Sequence, residues 1–215
     1  LYDQKDFDGA LEAYRSAMKI NPAIKGFYKR YAEIVIAKGQ HEEVITAFNR
    51  LIKDGDADVN TYTTLGMIYQ KKKSYTEAIQ MYQKALQLEP SNVDALSALG
   101  SCQTTSGDLA GAAISYEQVV MINPSAIAEL KELGEIYLRM GKEQEGIKVL
   151  KKYVEKDTTD SVIVKILGKK LFERKEYAEA ARYLAYLGQD TPPDYLMMYS
   201  EACFNSGKFK DAARV

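Results

Sequence analysis

The chain has 215 residues, of which 46% are hydrophobic and 27% are charged, and its formal net charge is −1 at pH 7. That composition is typical of a soluble protein, and a charge so close to zero creates no field that would attract nucleic acid or an anionic membrane. No apolar run approaches the roughly 18 residues that a membrane-spanning helix needs. We therefore expect a soluble protein that binds neither nucleic acid nor membranes, in an unknown compartment with the cytoplasm favoured.

Residues 1–58 carry a weak helical pattern. Pro22 is interpreted as the end of a partial segment, so the chain is expected to be a fragment that begins part-way through a structural element. The following segment predicts two helices whose inward-facing residues are Tyr28, Tyr31, Ala32, Val44, Phe48 and Leu51. The spacing of these side chains is typical of two amphipathic helices joined by a turn.

Residues 59–92 predict a second pair of helices more clearly. The first helix carries its stripe at i, i+3, i+4 and i+7, and the second carries one after the turn "KKKS". These stripes consist of Tyr62, Leu65, Gly66 and Tyr69, then of Ala78, Ile79, Tyr82, Ala85 and Leu86. Glu89 precedes a proline, which disfavours the α conformation and ends the helix. Ser91 or Asn92 is then expected to cap the next helix.

The same pattern recurs every 34 residues, which predicts a repeat protein. Leu-Gly occurs at Leu65-Gly66, Leu99-Gly100, Leu133-Gly134 and Leu167-Gly168. Small residues recur at Ala10, Val44, Ala78, Ala112, Gly146 and Ala180, and bulky ones at Tyr14, Phe48, Tyr82, Tyr116, Leu150 and Leu184. A glycine inside a helix costs about 0.5–1 kcal/mol relative to alanine. We therefore expect Gly66 to serve close packing of its helix against the second helix at Ala78.

These offsets resemble the tetratricopeptide repeat family, whose unit is a 34-residue helix-turn-helix. Residues 59–92 match nearly the whole pattern, and residues 161–192 keep Leu167, Gly168, Ala180 and Pro192. The resemblance implies an all-α, right-handed superhelical solenoid of stacked helix-turn-helix repeats, with the first helices lining its concave side. We predict one array with partial repeats at 1–24 and 193–215 and full repeats at 25–58, 59–92, 93–126, 127–160 and 161–192.

The reactive residue types form no catalytic or metal-binding constellation. His41 is the only histidine, and Cys102 and Cys203 lie three repeats apart, so a zinc site lacks its ligands and a disulfide is not expected. Glu42 and Glu43 are expected on a solvated helix face, where acid–base catalysis lacks a desolvated setting. We therefore expect no enzymatic activity, no metal and no cofactor.

The predicted concave groove is the better candidate for a functional site. The positions opposite the Leu-Gly stripe are expected to bind a partner, and they are Asn60, Thr63, Thr64, Met67, Gln70, Ser97, Ser101, Thr104, Lys131, Glu135, Lys165 and Lys169. The central part of this set is polar and nearly uncharged, so it suits the backbone of an extended peptide. The later part mixes lysines with apolar residues such as Val162 and Phe172, which suits an acidic, partly apolar segment. A merely solvated helix face is the alternative interpretation.

Two features of the sequence argue against a phosphate ligand and against a C-terminal carboxylate ligand. The runs Lys71–Lys73 and Gly168–Tyr177 are interpreted as solvated helix ends rather than phosphate contacts. Some relatives of the resembled family clamp a C-terminal carboxylate with lysines and asparagines in the groove. Here Lys29 is followed by Glu33 where that clamp needs asparagine, so it is not expected in this chain.

Three functional hypotheses remain open on the sequence alone. The first is a non-enzymatic protein–protein interaction scaffold that binds a peptide or partner protein in its concave groove. The second is a structural module that self-assembles through its groove or its ends. The third is the recognition arm of a larger enzyme whose catalytic part lies outside these residues.

Overall fold

A computed structural model describes residues 7–20, 27–37, 41–188 and 191–212, and these are predominantly α-helical. In the described residues the helices are α1 (Phe7–Ile20), α2 (Phe27–Ala37), α3 (His41–Asp54), α4 (Val59–Lys71), α5 (Tyr75–Leu88), α6 (Val93–Ser106), α7 (Leu109–Ile122), α8 (Ile127–Arg139), α9 (Glu143–Val154), α10 (Ser161–Glu173), α11 (Tyr177–Leu184), α12 (Pro193–Asn205) and α13 (Phe209–Ala212). No strand occurs among these residues. The all-α repeat fold predicted from the sequence is confirmed.

The chain divides into two compact halves, an N-terminal half, Leu1–Gly107, and a C-terminal half, Asp108–Val215. Even-numbered helices from α2 to α12 are the first helices of the predicted repeats, and odd-numbered helices are the second helices. Within the N-terminal half, α4 packs against α5 and α5 against α6; within the C-terminal half, α8 packs against α9 and α10 against α11. The predicted positions of Pro22 and of the border at 24/25 lie outside the described residues.

Each half has its own apolar interior. In the N-terminal half, Ile34, Val35, Leu65 and Tyr82 are almost completely buried. In the C-terminal half the most deeply buried side chains include Leu130, Leu150, Ile163, Leu167 and Leu184. A helix in such an array buries its apolar stripe against the neighbouring helices, so the stack holds together without a single central core.

In three of the Leu-Gly pairs, the glycine makes room for a bulky side chain 16 residues later. A Cβ added to Gly66 would lie 2.6 Å from a ring carbon of Tyr82. A Cβ on Gly134 would lie 2.4 Å from Leu150 Cδ2, and one on Gly168 would lie 2.5 Å from Leu184 Cδ2. The sequence analysis placed Ala78 against Gly66, but the nearest atoms belong to Tyr82. The repeated glycine of the first helix and the repeated bulky residue of the second helix therefore pack against each other.

The turn between the two helices of a repeat contains a residue in the left-handed conformation. These residues are Lys73 (φ 60°), Gly107 (φ 87°), Gly141 (φ 74°) and Lys175 (φ 61°), spaced by exactly one 34-residue period. After Lys73, the N–H of Ser74 donates to the carbonyl of Tyr69 at 2.9 Å, and after Gly141 the N–H of Lys142 does so to Tyr137. This bond closes a Schellman motif, which ends the first helix and reverses the chain.

The last repeat departs from the predicted pattern at its proline. Pro90 and Pro124 each follow the end of a second helix by two residues, whereas α11 ends at Leu184, eight residues before Pro192. Pro192 instead occupies the N-cap of α12, and Pro193 is the first residue of that helix. Proline is favoured at a first helical position because its missing N–H would have no helical partner there. Pro192 thus stands at the N-cap of the next helix, as Asn92 does for α6, and it does not occupy the place that Pro90 and Pro124 have after a second helix.

Candidate partner-binding surface

The predicted groove residues all lie on first helices, and we call the surface they form the first-helix surface. Asn60, Thr63, Thr64, Met67 and Gln70 lie on α4, and Ser97, Ser101 and Thr104 lie on α6. Lys131 and Glu135 lie on α8, and Lys165 and Lys169 lie on α10. Each half therefore presents its own part of this surface, and the two parts differ in chemistry.

In the N-terminal half, a chain of neutral hydrogen bonds joins α4 to α6. Tyr82 Oη donates to Gln70 Oε1 at 3.1 Å, and Gln70 Nε2 donates to Ser101 Oγ at 3.4 Å. Because Tyr82 is buried against Gly66, this chain ties the surface to the interior of the repeat. The structure thus brings together two residues of the predicted groove, Gln70 and Ser101, and joins them by a hydrogen bond.

Other hydroxyl groups of this part bond to their own helix. Thr63 Oγ1 donates to the carbonyl of Asn60 at 3.2 Å, and Thr104 Oγ1 donates to the carbonyl of Gly100 at 2.9 Å. Asn60 and Met67 are the exposed members on α4, and 49% of Met67 is accessible to solvent. A partner would therefore meet an exposed thioether and amide beside hydroxyls that retain acceptor capacity.

In the C-terminal half, an ion pair joins α8 to the start of α10. Lys131 Nζ lies 2.6 Å from Asp160 Oδ2, and Tyr153 Oη donates to the same oxygen at 2.9 Å. Asp160 is also the N-cap of α10, where it accepts the N–H groups of Val162 and Ile163. Burial alone would raise the pKa of Asp160, but the hydrogen bonds from Lys131, Ile163 and Tyr153 outweigh it and lower that pKa. Lys131 thus forms an ion pair with the residue that caps the next first helix, α10.

The same tie occurs three repeats earlier. Lys29 Nζ lies 2.8 Å from Asp58 Oδ2, and Asp58 caps α4 through the N–H of Thr61. Burial opposes ionisation of Asp58, yet the bonds from Lys29 and Thr61 hold its pKa at about 2. Lys29 was considered at the sequence level only as part of a carboxylate clamp. Its observed role is to pair with a helix cap.

The remaining predicted residues of the C-terminal half differ in exposure. Lys165 Nζ lies 5.7 Å from the ring centroid of Tyr195, which is a cation–π distance, whereas Lys169 is exposed. Glu135 is partly buried, and burial together with the nearby Glu132 carboxylate raises its pKa. Val162 is 59% exposed on the same helix as the two lysines. This part of the surface thus combines lysines with an exposed apolar side chain.

The residues considered for catalysis show no catalytic arrangement in the described chain. His41 is exposed at the start of α3, and both cysteines are buried free thiols. Burial raises the pKa of Cys102 to about 11, which keeps the thiol protonated at neutral pH. Glu43 differs from its expected solvated position, because it accepts a hydrogen bond from Tyr31 and pairs with Arg15 at 2.5 Å. Among the described residues, no cluster could hold a metal ion.

A groove that the sequence analysis missed lies on the second-helix side of the C-terminal half. It has a volume of about 780 Å³ and runs between α7 and α9, with α8 beneath it. Val120, Met121, Val149 and Leu133 contribute apolar surface, and Lys148 and Lys152 line one wall. We call it the second-helix groove. The alternation of apolar and charged residues along α9 was its signal in the sequence, but its depth depends on the packing of three helices.

Comparison with models of known families identifies the family of the chain. Tetratricopeptide repeat models match residues 59–92 and residues 1–65. This is a tetratricopeptide repeat protein. The family generally provides non-catalytic scaffolds for protein interactions. A search of curated proteins finds no matching sequence.

Solved tetratricopeptide repeat structures share the fold. YrrB, a TPR protein with an unusual peptide-binding site, is 17% identical with a TM-score of 0.65 over 77% of this chain and 86% of its own. MamA is 25% identical with a TM-score of 0.61, over 73% of this chain and 91% of its own. A tetratricopeptide repeat protein of Parabacteroides merdae is 14% identical with a TM-score of 0.59, over 99% and 85%. Within the described residues of this TPR protein, none of the helices is both long and apolar enough to cross a membrane.

Proposed function

We propose that this chain is a non-enzymatic protein–protein interaction scaffold that binds an extended peptide segment of a partner along its first-helix surface. The observation that carries the proposal is the direct contact between successive first helices, made in the N-terminal half by Gln70 and Ser101. Such contacts place exposed side chains of adjacent repeats on one continuous face. The peptide-binding property of YrrB, a protein of the same fold, supports this role.

The proposed surface has two kinds of binding chemistry. On α4, Asn60 and Met67 offer an amide and an apolar contact without a nearby net charge. On α10, Lys169 and Val162 offer a cation beside an exposed aliphatic side chain. We infer that a partner segment bound to the N-terminal half is neutral and polar, and that a segment bound to the C-terminal half is acidic and partly apolar.

A direct test selects peptides from a random library on the whole chain and measures their affinity for surface variants. The variant Asn60→Glu/Met67→Glu introduces two charges at exposed positions that the fold does not use. We expect peptides selected at this site to bind it at least about tenfold more weakly. The matched variant Lys148→Glu/Lys152→Glu alters the second-helix groove and should leave their binding unchanged. Failure to select any peptide, or equal loss in both variants, would contradict the proposal.

Self-association is a second candidate function, and a specific apolar surface favours it. In the C-terminal half, Met197, Phe204 and Phe209 are 70%, 63% and 61% exposed, and they line a depression of about 650 Å³. Large exposed apolar patches mark interaction sites. Light scattering over a hundredfold concentration range should show an oligomer that Phe204→Glu dissociates if this surface joins two copies. A monomer throughout removes this candidate and leaves the scaffold role intact.

The predicted repeat borders remain part of the proposal. We propose that the repeats run at 25–58, 59–92, 93–126, 127–160 and 161–192 and form one array with the partial repeats at each end. The third hypothesis, that the array is the recognition arm of a larger enzyme, agrees with the same binding surface. The proposed role of residues 1–215 is recognition in either case.

A further inference from the structure

The second-helix groove combines an open apolar floor with a row of basic side chains. Its volume of about 780 Å³ falls within the range of roughly 300–1,000 Å³ that is usual for ligand clefts. Met121 is 76% exposed on one wall, and Val120 and Val149 are half-buried along the floor. Burial of a side chain of this size and exposure against an apolar partner stabilises the complex, because it removes apolar surface from water.

The lysines of this groove are separated from those that stabilise the fold. Lys151 lies on another side of α9 and pairs with Glu179 and, at 3.9 Å, with Glu176. Within the described residues, neither Lys148 nor Lys152 has a carboxylate at ion-pair distance. The fold therefore uses Lys151 and leaves these two cations available.

The acidic residues of the groove do not neutralise its centre. Glu117, on the opposite wall, accepts a hydrogen bond from the hydroxyl of Tyr137. Glu145 lies at one end of the lysine row, and Glu155 is accompanied by Lys156 at the other. The available positive charge is thus at Lys148 and Lys152, which favours a partner with carboxylates at these two positions.

The spacing of the two lysines specifies the shape of that partner. Lys148 and Lys152 are four residues apart on one helix, so their Cα atoms are separated by about 6 Å along its axis. Two carboxylates at i and i+4 of another helix have the same spacing. An apolar side chain on the adjoining face of that helix would then reach Met121 and Val149.

We propose that the second-helix groove binds an acidic amphipathic helix of a partner protein, with a pair of carboxylates at Lys148 and Lys152 and an apolar residue on the Met121–Val149 floor. Helix-in-groove recognition of this kind is a recurrent binding mode. The lining of this groove shares no residue with the first-helix surface, although both use α8, and the site does not depend on that surface. The scaffold would therefore hold two partner segments at once.

The test uses two synthetic, fluorescein-labelled alanine-rich helices and the full chain. One peptide carries Glu at i and i+4 with Leu at i+3 and i+7, and the other has Gln in place of each Glu. We expect the Glu peptide to bind at least about tenfold more tightly at low salt, and to lose that advantage as salt is raised. No binding up to about 1 mM, or equal binding of the two peptides, would overturn the proposal.

Two double variants with the same change in net charge locate the site. Lys148→Glu/Lys152→Glu should abolish the preference for the Glu peptide, whereas Lys53→Glu/Lys71→Glu, at exposed positions of the N-terminal half, should preserve it. Met121→Glu should weaken both peptides, because it charges the apolar wall without entering the core. Circular dichroism confirms that each variant is folded. Equal losses in the two double variants would show a general charge effect and contradict the site.

Discussion

The two halves of the molecule share one polar link between first helices and differ in another. Each half has a lysine–aspartate pair at a helix cap, Lys29–Asp58 in the N-terminal half and Lys131–Asp160 in the C-terminal half, whereas the neutral chain Tyr82–Gln70–Ser101 joins α4 to α6 in the N-terminal half. In both halves the backbone packing rests on a glycine that accommodates a bulky residue 16 positions later. The polar contacts can therefore vary from repeat to repeat without altering the fold, which leaves each part of the surface free to match a different partner segment.

The largest expected effect comes from filling the glycine space in either half. Gly66→Leu and Gly134→Leu should each lower the free energy of unfolding by more than about 2 kcal/mol, because the added side chain overlaps Tyr82 or Leu150. Gly66→Leu should cost more, since displacement of Tyr82 also breaks the bond to Gln70. Urea unfolding measures both. Ala128→Leu, at an exposed position of α8, is the control and should change stability little; unchanged midpoints in the glycine variants would remove this account of the repeat.

The next effect distinguishes a charged helix cap from a neutral one. Asp160→Ala should destabilise the C-terminal half by about 2–3 kcal/mol, because it removes the cap of α10 and leaves Lys131 and Tyr153 without their acceptor. Asn92→Ala removes the cap of α6 and an exposed hydrogen bond to Glu89, and it should cost about 1 kcal/mol. Thermal unfolding compares the two. Equal losses would show that the ion pair adds nothing to the cap.

The stability of the fold at acidic pH should depend on the other lysine–aspartate pair, Lys29–Asp58. The folded pKa of Asp58 is about 2 and an unfolded aspartate titrates near 3.9, so the stabilisation is complete above about pH 4 and disappears as the pH falls through 2. Because the side chain is 43% exposed, solvent screening limits the effect to about 1 kcal/mol. Unfolding should be measured from pH 5 to 2. Asp58→Asn keeps a cap and should remove this part of the pH dependence; an unaltered profile would contradict the assignment.

The smallest effects come from the left-handed turns. Gly141→Ala should destabilise by about 1 kcal/mol, because a Cβ is strained at φ 74°. Lys73→Gly should stabilise by about 0.5 kcal/mol, since relief of the same strain exceeds the entropy that glycine adds to the unfolded chain. Thermal unfolding of the two variants gives both signs. Shifts in the same direction would show that the turns are not equivalent.

The helix pairs and the burial of the repeated positions could be predicted from sequence because they follow from a fixed period and side-chain size. The left-handed turn could not be predicted in every repeat. Glycine marks it at Gly107 and Gly141, but lysine occupies the same position at Lys73 and Lys175. The ion pair between Lys131 and Asp160 could not be predicted from the pattern of a single helix, because the pair joins two consecutive repeats. The second-helix groove required the relative depth of α7, α8 and α9, which no pattern along the chain supplies.

Methionine methyl NMR tests the central claim, peptide binding at the first-helix surface, most directly. Met67 lies on that surface and Met121 lies in the second-helix groove, and both are exposed. A peptide selected on the whole chain, and weakened by Asn60→Glu/Met67→Glu, should be titrated into protein with labelled methionine methyl groups. We predict that the Met67 signal shifts in proportion to the bound fraction while the Met121 signal stays fixed. A shift of Met121 with Met67 unmoved would contradict the account.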